Sequence, residues 1–259
     1  MSLRQCLCVM SARRRYPARG GRGARGRSSE QLCLAFPNGW GGRRKGAGRK
    51  LVGVRRTVPH RSRPVHRAAE PVHVTMRVAL RSLRAQFVYP TVVGVIRDTN
   101  RARGETFRIA EYSVQAEHVH LIVEAESTHC LISGMRSFSA RLVGRVNRLL
   151  FRRGQLVSDR WHGRALSTPR AVRRALVYVL ANFKKHGLGA ASAIDPCSSA
   201  PFFTHFEEFP RVPPFLMDPT LIPRAIRSRA PPVARASSWL LRVGWTRYGL
   251  ISIREAPLH

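Results

Sequence analysis

Carboxylates are scarce in this chain. Its 259 residues hold 14 Asp and Glu against 46 Lys and Arg, a formal net charge of +32. So one-sided a charge draws in polyanions and holds them by counterion release, which makes nucleic acid the first candidate partner and an anionic membrane surface the second. Long apolar runs are missing as well. None approaches the ~20 residues of a membrane span, and the apolar stretch around Cys6 and Cys8 is too short for a signal-peptide core. No membrane partner is therefore expected, and a cytoplasmic, nucleoid-associated location is. Cysteine is sparse: Cys6, Cys8, Cys33, Cys130 and Cys197 are odd in number and irregularly spaced, which argues against a disulfide framework or a zinc ribbon and for free thiols in a reducing compartment.

What is present divides the chain in three. Residues 1–67 form a basic arm in which glycine alternates with arginine. Such a sequence cannot bury enough apolar surface to offset the entropy of ordering, so the arm is expected to be largely disordered. Within it, Arg43, Arg44, Lys45, Arg49 and Lys50 have almost no carboxylates beside them and are expected to contact phosphates. Residues 68–188 carry the periodicities of a folded domain. Residues 189–259 are rich in proline and aromatics; Trp239, Trp245 and Tyr248 there either dock on the core or stack on unpaired bases. With 44% hydrophobic residues the chain can hold one good-sized core. Arginine outnumbers lysine, which favours forked contacts to phosphate.

Alternation and β-branching predict a strand at residues 72–78, where His73 shares a face with Thr75 and Arg77 and either lines a site or, as the favoured expectation, is a satisfied structural histidine. Pro90 suits the first turn of a helix reaching about Arg101. Residues 106–115 and 118–125 read as an antiparallel hairpin. Leu131, Met135, Phe138, Leu142, Val146 and Leu149 recur at helical spacing after a Ser127 or Thr128 cap. Residues 155–166 are extended, and a helix follows from Arg170 to about His186. Strand, helix, hairpin, helix, strand and helix make a small α+β domain: an antiparallel sheet with helices on one face.

Two features carry chemistry. In the strand 118–125, His118 and His120 point to one face while Val119, Leu121 and Val123 point to the other. Two imidazoles so spaced form a bidentate metal grip. In the last helix, Val172, Leu176, Val179, Leu180 and Phe183 make an apolar stripe. Tyr178 lies nearly opposite it, with Arg174, Asn182 and Lys185 within roughly 40°. Cations beside a tyrosine lower the cost of the phenolate and hold a phosphate near its oxygen. Asn182 can add an oxygen to the two histidine nitrogens, and a divalent ion so held would polarise a phosphoryl oxygen.

His-Val-His on a strand, the segment Asp159-Arg160-Trp161-His162, and a helix carrying Tyr178-Val-Leu-Ala-Asn182 resemble the HUH single-tyrosine transposases, most closely the REP-associated tyrosine transposase branch. The resemblance covers about residues 70–188. It implies a ferredoxin-like antiparallel sheet, Tyr178 as the catalytic nucleophile, and His118, His120 and Asn182 as ligands of Mg²⁺ or Mn²⁺. It further implies single-stranded DNA with hairpins or palindromic repeats as the partner, and cutting and rejoining through a 5′-phosphotyrosine intermediate. Arg160, Arg164, Arg174 and Lys185 are the expected phosphate contacts in this domain, and the protein would work as a monomer or homodimer. Two other readings compete: a non-catalytic, domesticated nucleic-acid-binding protein, and a basic RNA-packing protein of the ribosomal kind.

Overall fold

β-Branched residues at alternate positions extend the chain from Val72 to Arg77, giving strand β1. Helix α1, Tyr89–Arg103, has proline in its first turn and Arg101 and Arg103 in its last, each at the end where its chemistry suits the helix. Strands β2 (Phe107–Val114) and β3 (His118–Ala125) form the hairpin. Helix α2 runs Thr128–Leu149, and the Ser127 hydroxyl caps it by accepting from the Cys130 amide at 3.1 Å. A short edge strand β4, His162–Ala165, precedes helix α3, Pro169–Lys185. The computed structural model describes residues 64–80, 82–157, 159–185, 193–224 and 230–257, all within the compact unit Gly53–His259. Arg43, Arg44, Lys45, Arg49 and Lys50 lie outside the described residues.

The sheet order is β2-β3-β1-β4, and every pair is antiparallel. With α1 between β1 and β2 and α2 between β3 and β4, this is the β-α-β-β-α-β arrangement of ferredoxin-like folds. One face of the sheet is apolar. Val72, Val74, Met76, Val119, Leu121 and Val123 pack there against the stripes of α1 and α2, all buried. The fit is tight: a Cβ on Gly134 of α2 would stand 2.2 Å from the Phe107 ring of β2, so only glycine lets this helix lie so close to the sheet.

The expectation of helices on one face holds for α1 and α2 and is corrected for α3, which covers the opposite face. There its side chains join Ala110 of β2 and Ile122 of β3. The physical reason lies in the C-terminal residues. Phe203, Phe206, Leu241, Trp245 and Ile251 pack on the outer side of α3, so the helix is enclosed between sheet and tail. Ala175, Val177 and Ala181 are buried along with its apolar stripe. Glu124 of β3 anchors the tail by accepting from the Ser237 amide (2.7 Å), the Ser237 hydroxyl (2.9 Å) and the Ser238 amide (2.8 Å). Ser238 then caps a four-residue helix, α5 (Trp239–Arg242), which follows α4 (Pro214–Met217). Among the described residues no helix is long and apolar enough to cross a membrane.

Candidate functional site at the polar face of the sheet

Strand parity and register decide which side chains meet α3. Directly opposed residues of neighbouring strands share a face. Thr75 of β1 pairs with His120 of β3 and with His162 of β4, and His120 pairs with Ser113 of β2. The next row is Arg164, His73, Ile122 and Glu111. A register shift in β2 between Ile109 and Glu111 sets the second row: Ile109 and Tyr112 pack with α1 and α2, while Ala110 packs with α3 and Glu111 pairs with Ile122. The result is a band of histidine, hydroxyl and carboxyl groups on the α3 side of an otherwise apolar sheet.

Tyr178 is set against this band. Its ring centroid lies 5.1 Å from that of His120, edge to face, and 5.4 Å from that of His73. The His118 and His120 rings are 6.3 Å apart and nearly parallel, as expected of two side chains on one strand face. Thr75 Oγ1 stands 3.2 Å from His120 Nδ1, a contact that helps to orient the imidazole. The tyrosine therefore faces the sheet rather than bulk solvent, partly buried, and this burial raises its pKa above the usual tyrosine value.

Asn182, one turn beyond Tyr178, is buried, and neither its Oδ1 nor its Nδ2 has a hydrogen-bond partner. A buried amide without partners costs roughly 1–3 kcal/mol, so such a group calls for an explanation. It has company. Gln115 Oε1, Glu111 Oε2 and His73 Nε2 are also buried without partners. His73, expected to be a satisfied structural histidine, is not one. Burial, then the nearby charges of Arg164 and His162, push its pKa down to about 4, so the ring is neutral at physiological pH. Burial pushes the Glu111 carboxyl up to about 8 despite a hydrogen bond with Ser199. Glu111 did not stand out in the sequence, and His73 was expected to be structural. Their strand parity was legible, but the bulge that orients Glu111 and the orphaned nitrogen of His73 exist only in the fold.

Do these residues suit a metal ion? Two imidazoles on one strand face offer nitrogen donors and the unpartnered Asn182 amide offers an oxygen, a mixed set that suits a divalent cation without selecting one ion. Among the described residues, no three His, Cys, Asp or Glu side chains gather as a metal-holding group. The Asn182 amide oxygen, one turn beyond Tyr178 and without a partner, is a further donor on this side of the sheet.

Of the expected phosphate contacts, Arg164 is exposed on β4 and close enough to influence His73, while Arg174 and Lys185 are exposed on α3. Arg160 is apart from these. It lines a cleft with Arg136 and Ser139 of α2, on the other side of the sheet. Trp245 is almost fully buried, whereas Trp239 and Tyr248 are about half exposed, each with an arginine over its ring: Arg247 at 4.8 Å and Arg170 at 5.5 Å.

No family model matches the chain, and no curated protein matches it. Solved structures do. A REP-associated tyrosine transposase bound to a REP hairpin is similar at 18% identity and a TM-score of 0.45, over 55% of this chain and 82% of that one. A Deinococcus radiodurans R1 protein assigned as a transposase is similar at 14% identity and a TM-score of 0.31, over 52% of this chain and 99% of that one.

Proposed function

We propose that this protein is a metal-dependent single-stranded DNA transposase that cuts and rejoins DNA through a 5′-phosphotyrosine intermediate. We assign the chemistry to residues 68–188, with the basic arm (1–67) as a DNA contact and the tail (189–259) as the support of α3. The carrying observation is the tyrosine of α3 set edge-on against His120 while Asn182, one turn on, is buried with its amide unpartnered.

His118, His120 and Asn182 would hold the ion. A bound Mg²⁺ or Mn²⁺ supplies Lewis acidity toward a non-bridging phosphoryl oxygen. Tyr178 Oη forms a bond to phosphorus as the bond from phosphorus to the 3′ oxygen breaks. The phenol proton passes to water, and the departing 3′ oxygen takes one up. Because burial raises the Tyr178 pKa, the hydroxyl starts protonated and loses its proton as the new bond forms. The product ester retains the energy of the phosphodiester, so a 3′-hydroxyl on another strand can reverse the step and free Tyr178. Arg164, Arg174 and Lys185 supply cationic contacts to the strand, with hairpin or palindromic DNA as its class.

The test is a covalent-adduct assay on hairpin-bearing single-stranded DNA with Mg²⁺ or Mn²⁺. The expected product is a denaturant-resistant adduct carrying the 5′ end of the cut strand, absent for Tyr178→Phe and absent in EDTA. An adduct that persists in Tyr178→Phe refutes the nucleophile, and one indifferent to EDTA refutes the metal. Tight, salt-sensitive binding without any adduct would instead identify a non-catalytic DNA-binding protein.

A further inference from the structure

A second site lies on the far side of the sheet from Tyr178. It is a cleft of about 630 Å³ lined by Thr128, Ile132 and Arg136 of α2 and by Asp159, Arg160 and Trp161 ahead of β4. This volume is within the usual range for a small-molecule site and accommodates a nucleotide. The chemistry of the walls is unlike that of the apolar core behind them. Two guanidinium groups, one carboxylate and one indole surround the opening.

Trp161 is positioned by what is missing beneath it. A Cβ on Gly163 would stand 2.6 Å from the Trp161 ring, so the glycine lets the indole lie over the edge strand. One side of Trp161 joins the core, and the ring also lines the cleft. The cleft adjoins α2 where its first turn begins, the helix end that favours anions. β4 is the edge of the sheet. It carries His162 and Arg164 in the rows of the Tyr178 face, and the cleft lies just before it on the α2 side. Arg164 on β4 and Trp161 just ahead of it thus stand on the two sides of that edge.

We infer that this cleft holds one unpaired nucleotide of the DNA strand, its base stacked on Trp161, its amino edge toward Asp159, and its flanking phosphates on Arg136 and Arg160. The inference rests on the proposed function for the identity of the strand, and it concerns recognition rather than chemistry. The carboxylate excludes a pure phosphate site, because it repels an anion. It accepts from the amino groups of adenine, cytosine and guanine, which thymine lacks.

The experiment measures equilibrium binding in EDTA, using the full chain in a Tyr178→Phe background, so that no cleavage contributes. An abasic position is walked along a hairpin-bearing oligonucleotide. One position is expected to weaken binding at least about fivefold, the lower end of what base-aromatic stacking contributes. Trp161→Ala is expected to weaken the intact oligonucleotide by the same factor and to abolish the abasic effect, while Trp161→Phe restores most of both. Thymine at that position is expected to bind worse than the other bases, and Asp159→Asn to narrow that difference. Arg136→Ala is expected to lower the salt slope by about one. The proposal is overturned if no abasic position matters, or if the effect is unchanged in Trp161→Ala that retains the parent circular dichroism and melting temperature. Loss of the adduct in the separate cleavage assay leaves these binding results standing, so the two readings fail independently.

Discussion

The two faces of the sheet are built from the same strands and obey different rules. The face toward α1 and α2 is apolar, and its core side chains are buried. The face toward α3 sets histidines, hydroxyls and a carboxyl beneath a helix that brings a tyrosine and an unpaired amide. Burying a polar group without a partner costs free energy, so the second face costs stability where the first supplies it. Each such unsatisfied group calls for an explanation, and under the proposed function the contrast separates residues that hold the protein together from residues held for a ligand.

The largest break of that contrast comes from the dry face. Phe138→Ala, which empties a fully buried ring from the α2 stripe, is expected to cost about 3–5 kcal/mol, read from denaturant unfolding. Gly134→Ala adds a methyl group where Phe107 already stands at 2.2 Å, an overpacking expected to cost about 1–3 kcal/mol.

The polar face sharpens the comparison through pH. Glu111 is raised from 4.5 to about 8, so its contribution to stability is full below pH 4.5 and is lost as pH rises through 8. His73 is lowered from 6.5 to about 4, so its contribution is full above pH 6.5 and is lost as pH falls toward 4. Between 4.5 and 6.5 the two slopes oppose each other; from 6.5 to 8 Glu111 acts without His73. Over that last interval stability is expected to fall by about 2 kcal/mol, and Glu111→Gln is expected to flatten the fall. An unchanged slope in the variant would mean that the carboxyl is hydrated in solution.

The smallest expected effect on stability is the most informative. Asn182→Leu replaces an amide that has no partners with an apolar group of similar size, and is expected to change stability by less than about 1.5 kcal/mol or to raise it. The same variant is expected to lose the metal-dependent adduct. Marked destabilisation by Asn182→Leu would show that the amide is structural and erase the distinction between the two faces.

Local signals placed the elements well. Period-two alternation gives β1 and β3, with β3 spanning the expected 118–125. Helical spacing and a serine cap give α2, and proline after a Thr168 cap gives α3. These are short-range properties, carried by residues within a few positions of each other. The extended run at 155–166 shortened to a four-residue strand, His162–Ala165, because only those form a continuous ladder with β1, while Val157 makes a single bridge to Val78. The side of the sheet on which α3 lies was not legible locally. An amphipathic stripe reports that a helix has a buried face, and α3 has two, since the tail covers its outer side. His73 illustrates the same limit: parity assigned its face, and only packing stripped its Nε2 of partners.

By itself the sequence determined the strand parity that puts His118 and His120 on one face, the helix that carries Tyr178 and Asn182 one turn apart, and the charge that favours a polyanion. Each follows from backbone geometry or composition, which need no knowledge of the rest of the chain. The tertiary structure alone decided that the tyrosine faces His120 at 5.1 Å, that Asn182 is sealed without partners, and that Arg160 joins Arg136 of α2 in a separate cleft. Those are relations between residues far apart in the chain, fixed by sheet register and by the tail that presses α3 onto the sheet.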